Sequence, residues 1–318
     1  MADQYTGVVS AGAIVKLDDA VLELYALDML HEAQGVMRYE EFAVYTDDLT
    51  KQPGDTIQVT KVDNLARGGE LQEHVPLEAK AMSQALVPIV VTEYGNAVGV
   101  SEKLLLLSRH KELQKAAKLL GRDYAVVRDL NCRDALVASG NTIFANPTGA
   151  ALADVGSSHT FNIEAIRDGL EELSNVNAPK FYDDYYVCFI HPHQARYLRE
   201  DPDWISANNY ANTRNLFTGE IGRWEDVIFV ETTHQGNGAV ASTHEGYEAA
   251  LDGTGAAAIN LFRATLFADQ AYAVADALTV EMRDGGVSDF GRKHALAWYA
   301  IWGTKALEST YIQHIISA

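Results

Sequence analysis

The stretch Lys111-Glu112-Leu113-Gln114-Lys115-Ala116-Ala117-Lys118-Leu119-Leu120-Gly121-Arg122-Asp123-Tyr124-Ala125-Val126-Val127 decides how the rest of the chain is read. At about 100° per residue, Leu113, Ala117, Leu120, Tyr124 and Val127 share one face, while Lys111, Lys115, Lys118 and Arg122 share the opposite one. Ser101 is a fitting N-cap and Gly140 a fitting stop, so the pattern predicts a helical stretch from Ser101 to Gly140 with a break near Ser108. The basic stripe has two readings: a solvated helix face, which is the commoner use of such a pattern, or a contact for an acidic partner.

Upstream, Ala85 to Val100 reads as a strand, and Asp55-Thr56-Ile57-Gln58-Val59-Thr60 alternates polar and apolar residues with the period of a half-exposed strand. Between them, Asp63 to Met82 contains Arg67, Gly68-Gly69 and Lys80 but no periodic apolar face. Loops of this length inside compact domains are uncommon unless they serve a function, so the segment predicts a long two-stranded arm leaving the body. Pro53-Gly54 breaks the chain before it. Earlier still, Val21, Leu22, Leu24, Tyr25, Leu27, Met29 and Leu30 crowd an acidic helix from Asp18 to Gln34, closed by Gly35. Such a terminal helix needs something to pack against, and a neighbouring subunit would serve.

Downstream, a Gly/Asn/Ser-rich passage covers 140–158, and Ile163, Ile166, Leu170 and Leu173 mark a second amphipathic helix. Tyr185 to Ile190 reads as a strand, Pro192 opens a short helix through Leu198, and Asp226 to Glu231 is another strand. This alternation describes an α/β lobe from about 160 to 264. Beyond it, Ala271–Asp276, Leu278–Met282, Ala295–Trp302 and Tyr311–Ile316 read as strands of a sheet that packs on the long helix.

A chain of 318 residues, 47% hydrophobic and 22% charged, is long enough to bury a core as one large domain or two lobes. With 25 basic residues against 44 acidic ones, the net charge of −19 argues against gripping nucleic-acid phosphates as the main task. The charge is uneven: residues 1–50 carry ten acids against Lys16 and Arg38, whereas residues 51–140 carry eleven acids and twelve bases. The two regions are candidate partners in an electrostatic contact. The start lacks the basic and apolar regions of a signal peptide, and the apolar run Leu86 to Val91 is too short to span a bilayer. Cys132 and Cys188, with no C-x-x-C pair, support neither a disulfide framework nor a thiolate zinc site. The expectation is a cytosolic chain without a membrane partner.

Sequence motifs give no case for catalysis. The phosphate-binding patterns Gly-x-x-x-x-Gly-Lys-Ser/Thr and Gly-x-Gly-x-x-Gly and the nucleophile pattern Gly-x-Ser-x-Gly are absent. His191-x-His193, with Asp183 and Asp184 near, invites a metal reading. Pro192 between the histidines ends a strand, however, and no third histidine stands at diagnostic spacing, so a structural role is favoured. No catalytic, cofactor or metal residue is assigned. Trp204, Trp224, Trp298 and Trp302 read as core or interface anchors.

The order of parts resembles the Hong Kong-type coat-protein fold shared by tailed phages, herpesviruses and encapsulins. Local wording is similar to one phage branch: His191-Pro192-His193-Gln194-Ala195-Arg196-Tyr197-Leu198-Arg199-Glu200-Asp201, then Trp204, Tyr210 and Leu216 to Gly222. Glu231-Thr232, Ala264 to Ala268, Asp289-Phe290-Gly291-Arg292, Trp298 and Gly303 follow. The resemblance implies an α+β fold with an N-terminal arm (1–53), an extended β-hairpin loop (54–98), a peripheral domain with a spine helix (99–160 and 265–318) and an axial α/β domain (161–264). It implies a major capsid protein, not an enzyme, needing no cofactor and assembling with itself as pentamers and hexamers into an icosahedral virion shell in the host cytoplasm. Portal, scaffolding and cement or decoration proteins would be further partners, and double-stranded DNA would be enclosed without sequence-specific binding. The stripe Lys111, Lys115, Lys118 and Arg122 would then face the N-terminal segment of another subunit or packaged DNA, while Arg67 and Lys80 would lie on the inter-subunit loop. An encapsulin shell is the alternative, and a metal-dependent hydrolase built on His191, His193 and Asp183 a remote one.

Overall fold

The computed structural model describes residues 29, 37–46, 56–62, 82, 84–107, 112–146, 154–181, 184–201, 204, 220–235 and 261–318. In chain order the elements begin with β1 (Val44–Thr46), β2 (Thr56–Val62), β3 (Gln84–Val90), β4 (Thr92–Ser101), α1 (Glu102–Leu107) and α2 (Glu112–Val137). Next come β5 (Asn141–Phe144), α3 (Ile163–Asn175), β6 (Tyr186–Ile190), α4 (Pro192–Glu200), β7 (Glu220–Trp224) and β8 (Val227–Glu231). The chain closes with β9 (Phe262–Phe267), β10 (Tyr272–Ser288), β11 (Lys293–Ala306) and β12 (Ile312–Ser317). They form a four-stranded sheet in the order β1-β10-β11-β4, a six-stranded sheet in the order β5-β12-β9-β6-β8-β7, and the hairpin β2-β3.

The long helix joins the two larger sheets. Its first half lays Leu113, Ala117, Leu120 and Tyr124 on the four-stranded sheet, where Tyr124 meets Trp298 and Trp302 edge-on at 5.5 and 5.9 Å. Asp123 accepts a hydrogen bond from Trp298 Nε1 at 2.8 Å, which satisfies an indole donor that a purely apolar contact would leave unmade. Its second half turns Cys132 and Leu136 toward the six-stranded sheet, against Val187, Phe189 and Phe267. Start and stop follow local chemistry. The short α1 before it is capped by Ser101 Oγ, which accepts from Leu104 N, and beyond Val137 α2 gives way to Gly140, whose φ of 123° suits a residue without Cβ.

In the six-stranded sheet, β6 is buried at all five positions because α3 covers one side and the end of α2 the other. Asn162 caps α3 by accepting from Ala165 N at 3.0 Å.

Three sequence expectations are corrected. The sheet expected from residues 271–316 divides, since β12 leaves the helix-covering sheet to lie between β5 and β9. All six β12 residues are buried, and between β5 and β9 the strand is paired on both edges and covered on both faces. β5, β12 and β9 thus share one sheet with β6, β8 and β7. The two strands expected at 271–276 and 278–282 are one strand, bulged between Asp276 and Glu281, where extra residues interrupt the alternation but not the pairing with β11. Conversely, the run Ala85 to Val100 is two strands: β3 pairs with β2, β4 pairs with β11, and the ladder is handed over at Val91.

The acidic helix expected at 18–34, apart from Met29, lies outside the described residues. So do the loop from 63 to 81 with Arg67 and Lys80, Lys111, Asp183 and the Gly-rich turn near 219.

Candidate functional site

The α2 helix carries charge in two different settings. Lys115, Lys118 and Arg122 are exposed, and Lys115 reaches Glu112 at 3.3 Å. The same angular face continues along the helix to Asp129 and Arg133, and there it is buried. Asp129 Oδ1 accepts backbone bonds from Arg38 N at 2.7 Å and Tyr39 N at 2.8 Å, and its Oδ2 accepts from His234 Nδ1 at 2.7 Å. Arg133 donates to His234 O at 2.9 Å. Arg128, one residue before Asp129, forks onto both carboxylate oxygens of Asp276 at 2.9 Å and reaches Glu40 at 2.7 Å. Burial works against the guanidinium charge, yet Asp276, Tyr124 and Glu40 together hold Arg128 above its ordinary pKa.

These bonds fasten three distant pieces to one helix: the segment 38–40, the turn 232–235 and strand β10. From Tyr39 a polar chain runs onward. Its hydroxyl donates to Gln235, Gln235 Nε2 donates to Thr265 Oγ1 at 2.7 Å, and Thr265 meets His314 Nδ1 at 3.3 Å. His314 Nε2 donates to Ser139 O at 2.9 Å, and burial lowers the ring to about 4, keeping it neutral. Sequence reasoning missed this hub. Its one local signal was Arg128, four residues after Tyr124 and therefore near the apolar face, where a charge requires a partner.

Among the described residues, the hairpin β2-β3 is tied to the body along one side. Ile89 is buried against Ala273 and Ala275, Lys305 Nζ donates to Pro88 O at 2.9 Å, and Lys61 pairs with Glu308. Gly303 permits this approach, since a Cβ there would come within 3.0 Å of Ile89 Cγ2. On the other side Leu86 and Val90 are 58% and 59% exposed.

The histidine pair serves local structure. His191 accepts from His193 N as the cap of α4, with Pro192 in the first turn, and both rings stack on Phe262 at 4.9 and 4.2 Å. Burial, with His193 beside it, lowers His191 to about 4. Among the described residues, no three His, Cys, Asp or Glu side chains gather closely enough for a metal ion. Cys132 and Cys188 are fully buried, and burial pushes both thiols up, away from thiolate chemistry.

Comparison with known proteins places this architecture. The chain resembles solved phage capsid structures: the Cyanophage Pam1 capsid asymmetric unit, at 16% identity and a TM-score of 0.70, covers 100% of this chain and 99% of that one. The capsid of Ralstonia phage GP4 is similar at 14% identity and a TM-score of 0.68, covering 89% and 91%. The mature capsid of bacteriophage PhiM1 is similar at 12% identity and a TM-score of 0.62, covering 99% and 91%. No curated protein sequence matches the chain. A family model described as phage capsid protein matches residues 139–307, more than half of the length. The α+β architecture is thus that of tailed-phage capsids, and the chain belongs to the phage capsid protein family, as a major capsid protein of the virion with a structural and not an enzymatic task.

Proposed function

We propose that this capsid protein self-assembles as pentamers and hexamers into an icosahedral head that encloses double-stranded DNA, and that assembly takes place in the host cytoplasm. The observation that carries the reading is the β2-β3 hairpin, whose exposed side presents Leu86 and Val90 to whatever lies beside the subunit. A two-stranded ribbon is marginal alone, so a neighbouring copy covering that side would order it. The stretch 63–82 with Arg67 and Lys80 would extend this contact. The body divides into a peripheral part around the four-stranded sheet and an axial part around the six-stranded sheet, with residues 1–53 as an arm. Portal, scaffolding and decoration proteins are the further partners of such a head. The net charge of −19 suits a shell that holds DNA without gripping it.

Electron microscopy of the expressed protein, with scaffold supplied where the phage encodes one, tests the proposal. Closed shells or ring-like capsomers are expected. A strictly monomeric species under assembly-permitting salt would overturn it, and a copurifying cargo enzyme in place of DNA would redirect it to a compartment shell.

A further inference from the structure

The three most exposed large apolar side chains among the described residues stand at one end of the four-stranded sheet: Phe290 at 104%, Leu106 at 76% and Leu107 at 73%. Phe290 sits on the tip that joins β10 to β11, and the two leucines sit on α1, which leaves the end of β4. Tip and helix stand side by side, since Ser101 pairs with Lys293 and Glu102 N donates to Arg292 O at 2.9 Å.

The tip is not built for the subunit's own core. Asp289 and Phe290 hold φ of 54° and 55°, followed by Gly291 at 93°. Aspartate, asparagine and glycine take this left-handed conformation readily, whereas a phenylalanine there is an outlier. A Cβ on Gly291 would meet nothing within 4 Å, so the tip projects clear of the body. An aromatic ring held in water, on a backbone that disfavours it, points to a partner.

Between the base of the tip and α1 lies an open cleft of about 590 Å³, lined by Leu106 and Leu107 with Lys103, Arg292 and Lys293 around them. Leucines beside cations suit an aromatic ring, which buries its apolar body on the former and accepts the latter over its face. Asp289 lines this cleft and the fully exposed Phe290 does not, so the ring points away from the cleft of its own chain. Knob and hole thus share one surface but do not engage within a subunit. Their charges match as well. The cleft offers Glu102 beside its three cations, opposite in sign to the Arg292 and Asp289 that stand on either side of an incoming Phe290.

We propose that Phe290 of one copy plugs the α1 cleft of the next. A contact between unlike surfaces passes head to tail and closes as a ring of copies, not as a two-fold pair. The plug rests on the shell reading and adds to it a contact separate from the β2-β3 hairpin.

Phe290→Asn, which suits the backbone, should leave the unassembled subunit melting at the same temperature or higher. The concentration needed for assembly should rise at least about tenfold, the factor for losing one buried phenyl ring per copy. A residue that served only the subunit's own fold would lower the melting temperature instead. In a second arm, subunits carrying only Phe290→Cys are mixed with subunits carrying only Leu106→Cys, assembled and oxidised mildly. A disulfide joining the two kinds of subunit should appear in the particles and not in either variant assembled alone. Cys132 and Cys188 are fully buried and do not compete. Normal assembly by Phe290→Asn overturns the plug, and would assign the tip to a separate head protein if only that protein's attachment is lost. Phe290→Cys bonding to itself also overturns it, as the mark of a two-fold contact between tips. A parent chain that forms no particles refutes the shell reading, whereas intact particles without the bond between positions 290 and 106 refute the plug alone.

Discussion

Replacing Asp129 by alanine should release the segment 37–42 from the body. The side chain is fully buried, and its two oxygens satisfy the backbone N–H groups of Arg38 and Tyr39 and the ring N–H of His234. Removing it leaves three donors without an acceptor in a place water does not easily reach. Hydrogen bonds to a charged acceptor contribute about 1.5–3 kcal/mol each, and some relaxation is expected, so the loss should be roughly 3–5 kcal/mol. Asp129→Asn keeps an acceptor oxygen for the backbone donors and gives up the charge, so it should cost about 1–2 kcal/mol. Urea unfolding of the unassembled subunit measures the totals, and hydrogen exchange at residues 38–42 reports whether the loss begins there. If Asp129→Ala unfolds within about 1 kcal/mol of the parent and exchange at 38–39 is unchanged, the hub does not hold the segment and the reasoning fails.

Three further outcomes are expected. His314 is neutral when folded and lowered to about 4, below its unfolded value near 6.5; stability is therefore full above the unfolded value and falls with acid between about pH 6.5 and 4, and thermal melts of His314→Gln should show a shallower decline across that window. Gly121→Ala should disturb the seat of Met29, because the added Cβ meets its Cγ and Cα inside contact distance; the cost of about 1–3 kcal/mol outweighs the helix-propensity gain and should appear first as faster exchange near Met29. Replacing residues 63–82 by an Asn-Gly turn should leave a folded subunit with a nearly unchanged circular dichroism spectrum that no longer forms stable closed shells, as seen by electron microscopy; unimpaired particles would show that the hairpin arm is not an assembly element.

The parts of the fold written in local pattern were legible in the sequence, and those decided by distant partners were not. The apolar side of α2 was readable because Leu113, Ala117, Leu120 and Tyr124 repeat at helical spacing whatever they pack on. β12 was assigned to the wrong sheet because a six-residue strand, Ile312 to Ser317, carries no local mark of which sheet it joins. The bulged β10 looked like two strands because a bulge breaks the alternation on which the reading depends. The hub was missed for the same kind of reason: Arg128 finds Asp276 across 148 positions and Asp129 finds Arg38 across 91, distances over which periodicity carries no information.

The face shared by Lys115, Lys118, Arg122, Asp129 and Arg133 makes the point most sharply. By angle alone these residues form one charged side of a helix, which is how a solvated face looks. Yet the first three are exposed, while Asp129 and Arg133 are buried beneath residues 38–39 and 234. What distinguishes the halves is the kind of partner each charge can use. Asp129 is a short carboxylate that can accept two adjacent backbone N–H groups at once, so it can be buried only where a chain turns its donors toward it. Lysines on long stems need no such arrangement and stay hydrated unless an acidic surface approaches.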